Sequence, residues 1–333
     1  MLGPVRCRAA IVLAAFVALA AGCGGSSSAD RSQQPLKQVE LMLDFTPNAV
    51  HAGIYTALAH HYDSDEGISL HVQPPPSPVD SIKLLEQGRV DFAVLDIHDL
   101  AIARERGQPL VGVMAIVERP LASVIAQPPI KSPRQLQGGT VGVTGDPSDY
   151  AVLNSIVAGA GGRPRSVHTI TIGSDAVADL LAGRVAAATA FWNDEGVALA
   201  LRRPGYHIFR VEKFGAPAYP ELVLCARRET VARHPALVRA VVKTLVRGYE
   251  LAIARPAVAA ADLERQVPGL DPRLVRADLA ALRSSFAPRG GRPGELNMTT
   301  LHAWGVWETR FRLVRRRPDV AAMFNPRFAR RAP

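Results

Sequence analysis

The chain is poor in cysteine, and this shortage excludes a disulfide-stabilised fold. Its 333 residues include only Cys7, Cys23 and Cys225. We expect Cys7 to leave with an export signal and Cys23 to carry lipid, so that no pair remains for an internal disulfide. Cys225 lies in an apolar run, where we expect it to pack as a small buried hydrophobic side chain.

Aromatic side chains are also scarce, although the chain is basic. Phe, Trp and Tyr make up 6% of the residues, and the formal net charge is +9. No basic segment alternates with aromatic residues in the way that stacking on bases requires, so we expect no nucleic-acid partner. An arginine-rich C-terminus is compatible with contact to anionic lipid headgroups and equally with a solvated helix face. These arginines are Arg310, Arg312, Arg315, Arg316, Arg317, Arg327, Arg330 and Arg331.

The N-terminal apolar run is too short to be a stable membrane span. It covers Ala9–Ala21, whereas a transmembrane helix needs about 20 apolar residues. Because Arg6 and Arg8 precede it, the pattern predicts a signal peptide over residues 1–22.

The residues after this run resemble a bacterial lipobox, in which the cysteine is lipidated after cleavage. The match is Ala20-Ala21-Gly22-Cys23, with alanine where leucine is usual three positions before the cysteine. We expect Cys23 to be lipidated and residues 23–36 to form a flexible tether, because Gly24–Gln34 is polar and of low complexity. The alternative is an ordinary secretory peptide that is cut elsewhere.

The segment from Leu41 to Tyr55 reads as a strand that turns directly into a helix. Thr46 or Asn48 can cap the helix, and Pro47 suits its first turn. Asn48, His51 and Tyr55 recur at helical spacing and so share one face. An amide, an imidazole and a phenol beside free backbone N–H groups could hold a small polar ring. The alternative is a β–α corner with a capped helix and a half-buried tyrosine.

Two segments of the chain share a pattern of helix end, glycine and short apolar strand. They span residues 84–95 and 180–191, and the tails Asp96-Ile97-His98-Asp99 and Trp192-Asn193-Asp194-Glu195 follow them. The glycine suits the left-handed position after a helix, and strands without alternation are typical of burial on both faces. We interpret the pair as two similar α/β lobes; the alternative is a chance similarity.

A third segment, Thr140–Tyr150, reads as strand, loop and helix start, with Thr144, Asp146 and Ser148 as cap residues. Ligands of open α/β sheets bind beyond the carboxyl ends of the strands. Four loops should therefore face one cleft: residues 44–48, 96–98, 144–148 and 192–195.

These elements predict the division of the mature chain. We expect lobe one over residues 37–127, lobe two over 128–220, and a return to lobe one over 221–333. Helices opening with proline or a cap residue are predicted in the last part. They are Pro235–Arg255, Pro256–Arg265, Pro272–Ser285 and Met298–Arg315.

Several phrases of the sequence resemble one group of solute-binding proteins of ABC importers. The phrases are Asp44-Phe45-Thr46-Pro47-Asn48-Ala49-Val50-His51, Gly88-Arg89-Val90-Asp91-Phe92-Ala93, Trp192-Asn193-Asp194-Glu195 and Tyr219-Pro220-Glu221-Leu222-Val223-Leu224. The group binds thiamine pyrimidine precursors and shares ancestry with the fungal pyrimidine synthase and with alkanesulfonate-binding proteins. The resemblance implies a type II periplasmic-binding-protein fold: two α/β lobes, a two-strand hinge and a ligand cleft between the lobes.

The resemblance also implies a ligand and a site. The ligand would be an aminopyrimidine of the formylaminopyrimidine or hydroxymethylpyrimidine type, delivered to an ABC permease and its ATPase. The protein would be lipid-anchored on the extracytoplasmic face of the cell membrane. Asp96 and His98 either line the cleft or cap the next helix. The candidate ligand-binding residues are Asn48, Tyr55, Asp96, His98, Thr144, Asp146, Trp192, Asn193, Glu195 and Tyr219.

Two alternatives can be weighed from the residues. Alkanesulfonate, taurine or nitrate would require an arginine or helix N-termini at the cleft, whereas the loops carry Asp96, Asp146 and Glu195. The fungal-type synthase uses a pyridoxal-phosphate lysine, a histidine and a Cys-rich stretch. His98 lies near the expected histidine, but no lysine stands beside it and residues 215–220 contain no cysteine. We therefore expect a binding protein without catalytic residues, cofactor or metal site.

Overall fold

A computed structural model describes residues 35–76, 80–288 and 290–330. The chain from Leu36 to Pro333 groups as one compact unit. The predicted signal peptide, the predicted lipidation at Cys23 and most of the tether lie outside the described residues. Among the residues that are described, no helix is both long and apolar enough to cross a bilayer.

The first sheet has five strands: β1 (Lys37–Met42), β2 (Ile68–Gln73), β3 (Phe92–Asp96), β4 (Leu110–Val117) and β10 (Leu222–Arg227). Their order is β2-β1-β3-β10-β4. β1, β2 and β3 are parallel, and β10 runs antiparallel between β3 and β4. Every residue of β4 is buried, as expected for an apolar run covered on both faces. This sheet and its helices form lobe one.

The second sheet also has five strands: β5 (Ala122–Ala126), β6 (Thr140–Val143), β7 (His168–Thr171), β8 (Ala187–Phe191) and β9 (His207–Arg210). Their order is β7-β6-β8-β5-β9, and β5 runs antiparallel between β8 and β9. β6, β7 and β8 are parallel. Lobe two is built on this sheet, which has the same order of directions as the first.

The helices surround both sheets. In chain order they are α1 (Ala52–Ala59), α2 (Tyr62–Asp65), α3 (Asp80–Glu86), α4 (Ile97–Glu105), α5 (Pro147–Gly159), α6 (Ala176–Ala182), α7 (Glu195–Arg202), α8 (Arg228–Arg233), α9 (Pro235–Ala254), α10 (Pro256–Gln266), α11 (Pro272–Leu282), α12 (Met298–Arg310) and α13 (Val320–Met323). Each of the predicted C-terminal helices is present and begins at the predicted residue.

The last predicted helix ends at Arg310 and not at Arg315. Arg312 adopts φ +64°, in the left-handed region. The N–H of Arg312 donates to the Thr309 carbonyl, and the N–H of Leu313 donates to the Glu308 carbonyl. This is a Schellman ending with arginine at the position usually taken by glycine. The residues that follow form an exposed, arginine-rich loop.

The pattern of helix end, glycine and short strand that occurs twice in the sequence also occurs twice in the structure. α3 leads into β3 and α6 leads into β8, and Gly88 and Gly183 follow the helices with φ of +70° and +69°. Each strand is third in its own sheet. Asp96 and Asn193 therefore lie at equivalent ends of equivalent strands, facing the space between the lobes.

The chain crosses between the lobes twice. Residues 118–121 lead from β4 into β5, and the chain returns to lobe one just before β10. The predicted boundary at residue 127 thus lies after the crossing, because the apolar run of β5 pairs with β8 and β9. Glu221 joins the two crossings, since its Oε2 accepts from the N–H groups of Leu121 and Ala122.

The C-terminal helices fix the loop that ends β1. A Cβ atom on Gly248 of α9 would lie 2.0 Å from the Gly53 carbonyl oxygen, so α9 packs directly on the α1 backbone. The next residue, Tyr249, donates its hydroxyl to the Val50 carbonyl at 2.8 Å. The start of α1 is therefore held from behind by α9.

Candidate ligand-binding cleft

A cavity of about 360 Å³ lies between the lobes and is lined by residues from both. Its size is within the range of about 300–1,000 Å³ that is typical of small-molecule sites. The carboxyl ends of β3 and β8, the β1–α1 loop and the β6–α5 loop all contribute, as the strand directions predict. Of the predicted site residues, the lining includes Asn48, Asp96, His98, Thr144, Asp146, Asn193 and Glu195.

Asn48 forms the cap that opens the β1–α1 loop into a helix. Its Oδ1 accepts from the Val50 N–H at 2.9 Å, and its own N–H donates to Nδ1 of His51 at 3.1 Å. Because Nδ1 accepts, the proton of His51 lies on Nε2, which donates to Asp44 Oδ1 at 2.8 Å. His51 is fully buried and orients Asn48 and Asp44, both of which line the cavity.

Asp96 and His98 belong to a buried charge network on the lobe-one side. Asp96 caps α4, since its Oδ1 accepts from the His98 N–H at 2.7 Å, and it also lines the cavity. The His98 ring contacts Glu308 through Nδ1 and the Tyr219 hydroxyl through Nε2. Burial lowers the pKa of His98, but Glu308 and Asp96 more than offset this and raise it to about 10. His98 is therefore an imidazolium that compensates the carboxylates around it.

Asp96, His98 and Glu221 are also the described residues most suited by type and distance to hold a metal ion. Their ligand atoms lie within 4.8 Å of one another. However, both nitrogens of His98 already have partners, and a protonated imidazole is not a metal ligand. Burial and the Asp96 charge raise the pKa of Glu221 to about 8. The group therefore acts as an internal ion cluster at the hinge.

The β6–α5 loop forms a polar wall in lobe two. Asp149 Oδ2 accepts from both the N–H and the hydroxyl of Thr144, each at 2.6 Å. The Thr144 hydroxyl is also 3.2 Å from Asp146 Oδ2. Asp146 is exposed and precedes α5 without a capping hydrogen bond from its side chain. Thr144 is thus held in place, and the exposed Asp146 carboxylate lines the cavity beside it.

The loop after β8 supplies polar groups that lack protein partners. Asn193 is 2% exposed, and its Oδ1 is buried without a hydrogen-bond donor. Glu195 accepts from the Phe191 N–H at 2.9 Å through Oε2. Burial, followed by the neighbouring Asp194, raises the pKa of Glu195 to about 7. A buried acceptor without a donor normally finds one in a ligand or water.

A third carboxyl group extends this acidic side across the junction of the lobes. Asp278 of α11 is 3% exposed, and its Oδ1 has no partner. α11 packs against α7, and burial together with the charges of Asp194 and Glu195 raises the pKa of Asp278 to about 8. No cation contributes to the pKa of this residue.

The aromatic side chains that line the cavity differ from those predicted. Tyr55 packs in the lobe-one core, and Trp192 donates its indole N–H to the Pro120 carbonyl at 2.9 Å. Tyr219 is fully buried behind His98. None of the three is part of the cavity lining. Instead Phe45, 44% exposed, and Phe191, 37% exposed, line it from lobes one and two.

Sequence reasoning missed these two phenylalanines for a simple reason. Phe191 and Trp192 are adjacent, and neighbouring side chains at a strand end point in opposite directions. The larger ring packs on the hinge and the smaller one faces the cavity. Strand alternation alone would not have identified Phe191, because Thr189 and Ala190 both line the cavity as well.

The cavity is strongly acidic. Among the described residues, eight that line it are carboxylic acids, and none is lysine or arginine. The one basic residue in this part of the lining is His98, whose charge is already compensated by Glu308. The eight are Asp44, Asp96, Asp99, Asp146, Asp149, Asp194, Glu195 and Glu221.

Comparisons with known proteins identify the family of the chain. The family described as NMT1/THI5 like matches residues 48–259. The chain is 31% identical over 240 residues to the formylaminopyrimidine-binding protein of Halalkalibacterium halodurans, covering 71% of this chain and 72% of that protein. It is 28% identical over 138 residues to the 4-amino-5-hydroxymethyl-2-methylpyrimidine phosphate synthase of Legionella pneumophila, covering 41% and 43%.

Among solved structures, the periplasmic aliphatic sulphonate binding protein SsuA from Escherichia coli has the same fold. Its TM-score is 0.70 at 17% identity, over 88% of this chain and 93% of that one. The predicted periplasmic-binding-protein fold is therefore confirmed. The prediction of a binding protein instead of an enzyme is also confirmed, because the match to a binding protein extends over most of both chains. The chain belongs to the NMT1/THI5-like family and is a substrate-binding protein of the ABC-import type.

Proposed function

We propose that this protein captures an aminopyrimidine of the thiamine-precursor type, such as formylaminopyrimidine or hydroxymethylpyrimidine. The observation that carries the proposal is the composition of the cavity lining, which has eight carboxylic acids and no lysine or arginine among the described residues. A sulfonate or nitrate would lose its hydration there without gaining a cationic partner. A ring that carries N–H donors, or a positive charge, is stabilised by the same carboxyl groups.

The edge of an aminopyrimidine matches the groups on lobe two. Its amino group donates, and the adjacent ring nitrogen either accepts or, when protonated, donates. Glu195, with a pKa of about 7, matches this edge in both forms: the neutral acid meets the free ring, and the carboxylate meets the protonated ring. One proton is shared in either case. The unpartnered Oδ1 of Asn193 provides an acceptor for a second N–H.

The faces of the ring have partners as well. Phe45 and Phe191 reach the cavity from opposite lobes and remain partly exposed. A flat ring between them would cover both, and aromatic contacts contribute about 0.5–1.5 kcal/mol beyond area burial. This arrangement would couple ligand binding to the approach of the two lobes.

The relative from Halalkalibacterium halodurans supports the same ligand class through its name, at 31% identity. The fold neighbour that binds aliphatic sulphonates does not argue against it, since at 17% identity the likeness concerns the fold alone. In this proposal Asn48, Asp96, His98, Thr144 and Asp146 complete the polar wall. Tyr55, Trp192 and Tyr219 then act behind the wall, by packing.

We place the protein on the extracytoplasmic face of the cell membrane, anchored by lipid on Cys23, and working with an ABC permease and its ATPase. The support is the predicted signal peptide over residues 1–22 and the lipobox-like residues that end at Cys23. Globomycin, which blocks lipoprotein signal cleavage, should retain the longer precursor in cells, and a Cys23→Ala variant should appear without lipid.

Calorimetric titration of residues 36–333 tests the ligand. This part forms one compact unit. Formylaminopyrimidine, hydroxymethylpyrimidine, thiamine, riboflavin and taurine are titrated separately, and we expect saturable heat with an aminopyrimidine and none with taurine. Binding of taurine without binding of any pyrimidine would overturn the proposal. Chemical conversion of a bound ligand, followed by chromatography, would identify an enzyme instead.

A further inference from the structure

The end of lobe one farthest from the cleft carries uncompensated positive charge. We call it the basic face and define it as Arg104, Arg228, Arg312, Arg315, Arg316 and Arg317. All but Arg104 are exposed, and no ion pair among the described residues involves any of the six. By contrast, the ion pairs of Lys243 and Arg247 with Asp65 and Glu66 show that arginines elsewhere on this lobe do find partners.

The loop that carries four of these arginines is fixed, not frayed. It begins at the Schellman ending of α12, with Arg312 in the left-handed conformation. The backbone N–H groups of Arg315 and Arg316 donate to Glu105 Oε1 at 2.6 and 3.1 Å. Glu105 is thereby occupied by backbone, and the guanidinium groups remain directed to solvent.

Two arginines of the body reinforce the loop. Arg228 begins α8, and its N–H donates to the Pro109 carbonyl, which places it beside the start of β4. Burial and the like charge of Arg228 together lower the pKa of Arg104. The Asp319 carboxylate, which caps α13 through the Ala322 N–H, offsets part of this positive charge. The six arginines outnumber Glu105 and Asp319, so a net positive charge remains.

The strand directions show where this face lies. β1 and β4 both run parallel to β3, so their first residues, Lys37 and Leu110, lie at the edge opposite to the cleft. Glu105 ends α4 shortly before Leu110 begins β4, and so lies near the same edge. The described chain thus enters lobe one at the same end that carries the basic face, while the ligand cavity opens at the other end.

We infer that the basic face docks on an anionic lipid bilayer. Arg104, Arg228 and Arg317 each donate to one backbone carbonyl, but none of the six guanidinium groups has a carboxylate partner among the described residues. Headgroup phosphates are the partners that such a fixed array fits. β1 begins at this end and the ligand cavity lies at the other, so docking here leaves the cleft open. The inference rests on the extracytoplasmic location in the proposed function but not on the identity of the ligand.

Vesicle binding of the full chain tests this inference. Vesicles of phosphatidylcholine alone are compared with vesicles that contain about 30% phosphatidylglycerol, at low salt. The variant Arg312→Gln/Arg315→Gln/Arg316→Gln/Arg317→Gln removes the loop charges. Each arginine near an anionic surface strengthens binding by about fivefold, so we expect the variant to lose at least about tenfold on anionic vesicles. On neutral vesicles the two proteins should bind alike.

A matched control removes the same charge from lobe two. Lys131→Gln/Arg134→Gln/Arg163→Gln/Arg165→Gln changes four exposed residues, none of them in an ion pair of the described chain. It should bind anionic vesicles like the unmodified chain, and the four loop changes to lysine should retain binding. About 0.5 M NaCl should remove the difference, because the charges are exposed.

All these proteins carry the same N-terminal segment, so its contribution to vesicle binding does not affect the differences between them. Circular dichroism and ligand titration confirm that each variant is folded. Equal losses in the loop variant and the lobe-two control would overturn the inference, since only net charge would then matter. Unchanged anionic binding of the loop variant would also overturn it; if that variant then failed to support ligand uptake in cells, the basic face would contact the permease.

Discussion

The two walls of the cavity occupy equivalent places in their lobes but differ in how their charges are satisfied. On lobe one, Asp96 caps a helix and His98 is held between Glu308 and Tyr219. On lobe two, Asn193 Oδ1 has no partner, and Glu195 faces Asp194 and, across the junction of the lobes, Asp278 of α11. The polar groups on the lobe-one side have partners within the protein, whereas those on the lobe-two side gain partners from a bound ligand.

This difference predicts that mutations on the two sides of the cavity have separable effects, on folding stability in lobe one and on ligand affinity in lobe two. Changes to the lobe-one network should cost stability, because they leave buried charge without compensation. Changes to the lobe-two groups should cost affinity, because those groups have little else to bind. The three predictions below test this separation.

The largest effect is expected from Glu308→Gln. Glu308 is fully buried and supplies the main charge that keeps His98 protonated. Removing one member of a buried ion pair costs about 3 kcal/mol of unfolding free energy. Denaturant unfolding at neutral pH measures this loss.

The control for Glu308→Gln is Glu229→Gln, which breaks the exposed ion pair with Arg233. That variant should change stability by less than about 1 kcal/mol. The stability that the raised pKa of His98 confers is complete below the ordinary histidine pKa and is lost as pH rises toward about 10. A variant as stable as the parent would show that His98 needs no counter-charge.

The next effect concerns pH and Asp278. Its pKa of about 8 in the folded protein lies above the ordinary value of 3.8, so the folded state keeps a proton that the unfolded state releases. Folding stability therefore falls as pH rises from about 4 to about 8. Asp278→Asn should flatten this fall and be more stable than the parent at pH 8.

Thermal unfolding across this pH range, without ligand, checks the prediction. The control Asp271→Ala removes the exposed cap of the same helix. It should lower the whole curve by about 1 kcal/mol without flattening it. Parallel curves for the parent and Asp278→Asn would place no proton on Asp278.

The smallest effect is on affinity. Glu195→Gln retains size but loses the charge and the shared proton, and it should weaken aminopyrimidine binding by at least about tenfold, since a charge-assisted hydrogen bond contributes about 1.5–3 kcal/mol. Its unfolding free energy should not fall, because glutamine lacks the cost of ionisation that the raised pKa of Glu195 reflects. Calorimetry at neutral pH measures the affinity. Unchanged affinity would place Glu195 outside the site and remove the contrast between the walls.

Much of the fold could be predicted because it depends on short-range chemistry. The glycines at 88 and 183 follow helices in the left-handed conformation, and the apolar strands after them are buried as expected. The same pattern placed Asp96 and Asn193 at one edge, because strands that occupy the same place in similar sheets end together. The helix cap is Asn48 and not Thr46; the spacing of the residues alone did not decide between the two.

The rest depends on long-range packing. The partner of His98 is Glu308, 210 residues away, and nothing near either residue indicates the pairing. Tyr55, Trp192 and Tyr219 have the composition of a ring-binding set, but whether an aromatic side chain faces a core or a cavity depends on elements that are distant in sequence. The roles of the site residues therefore stay predictions until titration and mutation test them.

Glu221 has a consequence for how the lobes move. A single carboxylate accepts from the backbone of the first crossing while sitting on the second, at the floor of the cavity. Because Glu221 joins the two crossings at one point, they are held against sliding past each other, and the lobes move relative to each other mainly by rotation about that point. A cavity residue close to Glu221 then moves little, whereas a residue farther from it, such as Phe45 or Phe191, moves more. Ligands of different length would thus be accommodated by angle, with the same floor contacts retained.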